Sequence, residues 1–83
     1  LIDAGYYEHA NKDLSIALSI DPTDTDIHFN RAITNLNLKR YADTEFDIHQ
    51  IIKKKPKDGE AYYLLSQAEL QQKDSASALI HLD

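Results

Sequence analysis

Apolar residues along this chain return at intervals of three and four, the spacing that puts them on one face of an α-helix. Ala10, Leu14, Ala17 and Leu18 form one stripe, and Phe29, Ala32, Ile33 and Leu36 form the next. Ile48, Ile51 and Ile52 follow, then Ala61, Leu64, Leu65 and Ala68, and finally Ala78, Leu79 and Leu82. No window alternates apolar and polar residues as a half-buried strand does. The pattern predicts helices at about 7–20, 25–38, 41–54, 59–72 and 75–82, with 1–4 as the tail of another.

Helix stops agree with the stripes. Asp21-Pro22 and Lys55-Pro56 end helical runs, because proline lacks the amide hydrogen that continues a helix and pushes the preceding residue toward extended backbone. Asp24 and Asp58 stand where the next helix begins, suited to capping free N–H groups, and Asp74 is placed likewise before the last stripe. Short turns are expected around Gly5, Lys39-Arg40 and Lys73-Asp74, which would fold successive helices back antiparallel.

The stripes and stops share one period, the interval from Pro22 to Pro56. Tyr7 and Tyr41 keep the same interval. Ala10, Thr44 and Ala78 continue the register, followed by Leu14, Ile48 and Leu82, and by Ile2, Leu36 and Leu70. Between residues 1–24 and 35–58 the identities are Tyr7/Tyr41, Asp13/Asp47, Pro22/Pro56 and Asp24/Asp58, so the repeat lies in residue type and spacing more than in identity.

Two helices per period, Gly-x-Tyr at Gly5 and Tyr7, small residues at Ala10 and Ala17, and a closing Asp21-Pro22 resemble the tetratricopeptide repeat. Residues 1–24 are similar to its second half, 25–58 to a complete repeat, and 59–83 to a third one cut short. In the complete repeat Ala32, Tyr41 and Pro56 fit, whereas His28 replaces the usual aromatic, Arg31 the usual leucine and Thr44 the usual alanine. The third keeps Tyr62, Leu65, Ser66 and Ala78 in place. The resemblance implies an all-α, right-handed solenoid of antiparallel helix pairs forming a single domain, its first helices lining a concave groove that binds a peptide segment or a partner's helix. In this register Asp26, Phe29, Asn30, Ile33 and Asn37 of one helix and Glu60, Tyr63, Leu64 and Gln67 of the next line the groove. That mixture of apolar, amide and acidic groups suits a segment with an apolar anchor and a basic flank.

Asn30-Arg31-Ala32 is similar to the triplet of tetratricopeptide domains that clamp the C-terminal carboxylates of chaperones with Asn, Lys and Arg donors. The Lys and Arg that such a clamp takes from the following repeat fall here on Glu60 and Leu64, one of the wrong charge and one no donor. An asparagine ladder along the groove fails at the same place, since Leu64 follows Asn30 in register. The sequence therefore favours Ala32 as a packing residue and Asn30 as the single groove-facing member of the triplet.

Composition narrows the remaining classes. With 42% hydrophobic and 28% charged residues, two Gly and two Pro in 83, the chain reads as one ordered, helix-favouring unit. Nine basic against fourteen acidic residues give a net charge of -5, which disfavours a nucleic-acid surface and favours a protein or peptide partner. The concentrated basic run, Lys53-Lys54-Lys55-Pro56-Lys57, closes a helix, where lysines offset the negative end of the dipole. No run of eighteen apolar residues exists, so no membrane insertion is expected. Cysteine is absent, and His9, His28, His49 and His81 include no i, i+4 pair, so neither a metal site nor a cofactor is expected. No phosphate loop or nucleophile-base pairing is recognisable, and no enzymatic role is expected of this segment. The chain opens at Leu1 without Met and reads as a piece of a longer protein, its exposed solenoid ends open to self-association.

Overall fold

The computed structural model describes the backbone of residues 4–81 and the side chains of residues 5–74. The fold is all-helical. Four helices follow one another: α1 (Ala4–Ile20), α2 (Thr25–Asn37), α3 (Tyr41–Lys54) and α4 (Gly59–His81). α2 is the hub, packed against α1 and α3 and touching α4, while α3 also packs on α4. The body measures 45 × 31 × 20 Å.

The core follows the stripes. Ala32 and Leu36 of α2, Ile48 and Ile51 of α3, and Ala61, Leu64 and Ala68 of α4 form one buried cluster. Phe29, Tyr41, Ile52 and Leu65 pack against its edge. Each fully buried Ile or Leu contributes about 1.5–3 kcal/mol relative to exposure, so this cluster is the main source of cohesion. Alanine at 32, 61 and 68 lets the three helix backbones approach. Ile33 departs from its stripe and faces outward, because the 3.6-residue period carries it past the edge of the buried arc of α2. The stripe at Ala78, Leu79 and Leu82 lies outside the side chains described.

The loops before α2 and α4 are built alike, bond for bond, one sequence period apart. Asp24 Oδ1 accepts from the amides of Asp26 and Ile27, and Asp58 Oδ1 accepts from those of Glu60 and Ala61. The capping aspartates' own amides donate to Asp21 O and Lys55 O. His28 Nε2 lies 2.9 Å from Pro22 O, and Tyr62 Oη donates to Pro56 O over 2.9 Å. Each helix start is thus fixed by a carboxylate cap and by a side chain reaching back to the proline carbonyl.

Of the three expected turns, the one at Lys39-Arg40 forms. Arg40 N donates to Asn35 O and Lys39 N to Leu36 O, the paired bonds of a Schellman stop. Lys39 takes the left-handed position, φ 61°, that glycine usually fills. The other two expectations are corrected. α1 runs through Gly5, whose place in the first turn costs the helix little, and residues 1–3 of the expected preceding tail lie outside the described residues. α4 runs through Lys73-Asp74, so neither the turn there, the Asp74 cap, nor a separate helix at 75–82 forms. Gln71, Gln72, Lys73, Ala76 and Ala78 propagate a helix readily, and no Gly or Pro interrupts them.

Lys39 holds a conformation that costs a side-chain-bearing residue about 1–2 kcal/mol. Lys39→Gly is expected to stabilise the chain by about 1 kcal/mol, read as a higher urea midpoint at unchanged slope; an unchanged or lower midpoint contradicts the strained stop.

Candidate functional site

The face expected to bind a partner occupies the outer side of α2 and the start of α4. Six of its nine expected residues fall into two clefts. Asp26, Phe29 and Glu60 meet in a cleft of about 210 Å³, together with Asp58, Lys55 and Ile51. Asn30, Ile33 and Asn37 line a second, wider cleft of about 540 Å³ whose far wall is α1, contributed by Tyr6, Tyr7 and Asp13.

The first cleft is made by helix starts. Capping places Asp58 at the mouth of α4, and the first-turn positions of Asp26 and Glu60 suit acidic side chains near the positive ends of the helix dipoles. Three carboxylates and the half-buried Phe29 therefore line one cleft, with Lys55 as the cation among the lining residues. Tyr63 is 67% exposed on α4, one turn beyond Glu60. Gln67 is half-buried, and Leu64, expected in the groove, instead belongs to the core. Burial of Leu64 follows from its spacing with Ala61 and Ala68, which puts all three on the α4 face turned to α2 and α3. Asn37 Nδ2 donates to Ile33 O, leaving its carbonyl oxygen for an incoming donor.

The Asn30-Arg31-Ala32 triplet divides. Asn30 is exposed and Ala32 is fully buried. Arg31 turns inward as a fork onto the buried Asp47 of α3, with Nε 2.9 Å from Oδ2 and Nη2 2.6 Å from Oδ1. Its Nη1 donates to Ser15 Oγ of α1 over 3.2 Å, so one guanidinium links three helices. The hydrogen bond to Asp47 raises the Arg31 pKa above its ordinary value, outweighing the opposing effect of burial. A side chain so engaged is not offered to an external carboxylate, which removes the arginine from any clamp built on this triplet.

His28 completes the group. Its Nδ1 lies 3.0 Å from Asp47 Oδ1 while Nε2 faces Pro22 O. Both partners are acceptors, so the ring ties α2 to α3 on one side and to the loop carbonyl on the other. Asn11 Nδ2 donates to the buried Asn35 Oδ1 over 2.5 Å, a second polar tie between α1 and α2. Among the described residues, no buried side-chain polar atom lacks a hydrogen-bond partner.

Sequence reasoning treated His28 and Arg31 as departures from a repeat pattern and did not join them to Asp47. The signal was present: His28 and Arg31 are three apart on the buried arc of α2, and Asp47 interrupts the apolar register of Thr44, Ile48 and Ile51 on α3. Charges of opposite sign at core positions of adjacent helices have to meet or be excluded from the core.

No metal site arises from these groups: among the described residues, no three His, Cys, Asp or Glu cluster to hold an ion. Nor is any described helix long and apolar enough to cross a membrane. The lysine run ends α3, with Lys54 Nζ donating to Thr23 O over 2.9 Å.

Arg31→Leu strands the buried Asp47 carboxylate and is expected to cost about 3 kcal/mol. Adding Asp47→Leu is expected to recover at least about 1 kcal/mol of that loss, measured as the coupling term of a urea-denaturation cycle; strictly additive losses contradict a shared buried pair. In comparisons with known proteins, no family model, no curated protein and no solved structure matches this chain.

Proposed function

We propose that the chain is a tetratricopeptide-type solenoid segment that acts as a protein-interaction scaffold, holding a partner segment along the outer face of α2 and the start of α4. The observation that carries the reading is the cleft that Asp26, Glu60 and Asp58 line together with Phe29. Its chemistry selects a partner with an apolar side chain to cover the ring and basic side chains to meet the carboxylates. Ile33 and Tyr63 extend the apolar contact, and Asn30, Asn37 and Gln67 supply amide donors and acceptors for a backbone. The duplication of the cap, the backbone turn and the proline tether at one sequence period supports the repeat assignment, since a stacked-pair architecture repeats its connections as well as its cores.

A groove carried on helices is already ordered before the partner arrives, so binding loses little entropy on the scaffold side. The role is one of recognition, with no catalytic step assigned. A carboxylate clamp is the weaker reading, because Arg31 is held by Asp47 and Glu60 repels an acidic chain end.

The test uses two synthetic peptides, one with a central Leu between Lys and Arg residues and one ending in an acidic C-terminal sequence. The basic peptide is expected to bind with micromolar affinity, weakening with salt and by at least about tenfold in the double variant Asp26→Lys/Glu60→Lys. Absence of binding, or equal affinity in the variant, overturns the proposal. Tight binding of the acidic peptide would support the clamp instead.

A further inference from the structure

A polar cavity of about 330 Å³ lies among α1, α2 and α3 and shares no residue with the outer face of α2 or the start of α4. Asn11 and Ser15 come from α1, Arg31 and Asn35 from α2, and Asp43 and Phe46 from α3. Its size is at the lower end of the range of about 300–1,000 Å³ found for small-ligand pockets, room for one residue-sized group.

Arg31 and Asn35 are its deep residues, the Arg31 side chain 19% exposed and Asn35 only 2%. Each keeps donors unspent. A guanidinium has five N–H groups, of which Arg31 directs two at Asp47 and one at Ser15, so Nη1 and Nη2 each retain one. Asn35 Oδ1 accepts from Asn11, whereas Asn35 Nδ2 has no acceptor among the described residues. Since no sealed side-chain polar atom of those residues lacks a partner, that amide opens onto the cavity. An oxygen placed there meets N–H groups of both residues.

The mouth has the opposite character. Asp43 and Phe46 are exposed and three apart on α3, hence neighbours on one face of it. Asp43 has no ion-pair partner among the described residues. It lies near enough to add to the raised Arg31 pKa, which the hydrogen bond to Asp47 dominates. The Arg31–Asp47 pair is neutral as a unit, so Asp43 leaves the cavity net negative. Its first-turn position suits the dipole of α3, but the dipole does not account for open donors beside it. An anion is repelled here, and a simple cation leaves those donors unused. A protonated amine next to an uncharged carbonyl satisfies both.

We propose that this cavity binds the first residue of a polypeptide chain, its α-ammonium against Asp43, its carbonyl oxygen on Arg31 and Asn35, and its side chain over the Phe46 ring. A free amino acid fits less well, because its carboxylate meets Asp43 and Asp47 while the Arg31 charge is already neutralised.

Nuclear magnetic resonance titration of the full chain with leucinamide tests this at about pH 6.5, below the ordinary α-amino pKa of about 7.7–8.0. Saturable millimolar binding is expected, seen as shifts of the Asn35 side-chain amide and the Arg31 Nε–H. Leucyl-glycyl-glycine amide is expected to bind at least as tightly. N-acetyl-leucinamide, which lacks the ammonium, and 3-methylbutylamine, which lacks the carbonyl, are expected not to bind. Asp43→Asn and Phe46→Ala, both at exposed positions, are each expected to weaken leucinamide by at least about fivefold, with circular dichroism verifying the helices. Asp26→Lys/Glu60→Lys is expected to leave it unchanged, which separates this site from the acidic cleft. No saturable shift, equal binding of the acetylated amide, failure of the tripeptide, or tighter binding of free leucine overturns the proposal.

Discussion

Asp47 sits in the middle of the α2/α3 contact with no exposure to solvent, and its charge is sustainable there because Arg31 meets both carboxylate oxygens. His28 adds a third contact and ties the group to the loop carbonyl of Pro22, while Ser15 brings in α1. The helices and the loop before α2 are therefore held to one polar node embedded beside the apolar cluster. Apolar packing supplies most of the cohesion but tolerates small slips along a helix. An ion pair with fixed geometry does not, and in this chain it sets the register of α3 against α2.

That register also decides which residues of α2 face solvent. With Arg31, Ala32 and Leu36 turned inward, the opposite side of α2 must carry Asp26, Asn30, Ile33 and Asn37 outward. The starts of α2 and α4 share a cleft lined by Phe29, Asp26, Asp58 and Glu60. The same inward turn that builds the core removes the one guanidinium of the triplet from the surface. Within Asn30-Arg31-Ala32, Arg31 and Ala32 thus turn inward while Asn30 faces solvent.

Much of this was determined by sequence alone. The helical period, the prolines that end α1 and α3, the caps at Asp24 and Asp58 and the periodic repetition of the connections are local properties, set within a few residues of chain. Helical spacing also made legible that Asp26, Phe29, Asn30, Ile33 and Asn37 share one side of α2. Tertiary structure decided what depends on which helix lies opposite. It buried Leu64, which the repeat register had assigned to the groove, and by placing α1 beside α2 it divided six of the other eight residues between two clefts. It paired Arg31 and His28 with Asp47, residues 16 and 19 positions apart, whose meeting depends on how α2 and α3 cross. It also carried α4 through Lys73-Asp74, where a turn gains stability only if a returning helix finds a surface to bury. Whether a charge is exposed or enclosed, and whether a helix stops or continues, follows from that apposition, which a linear pattern does not contain.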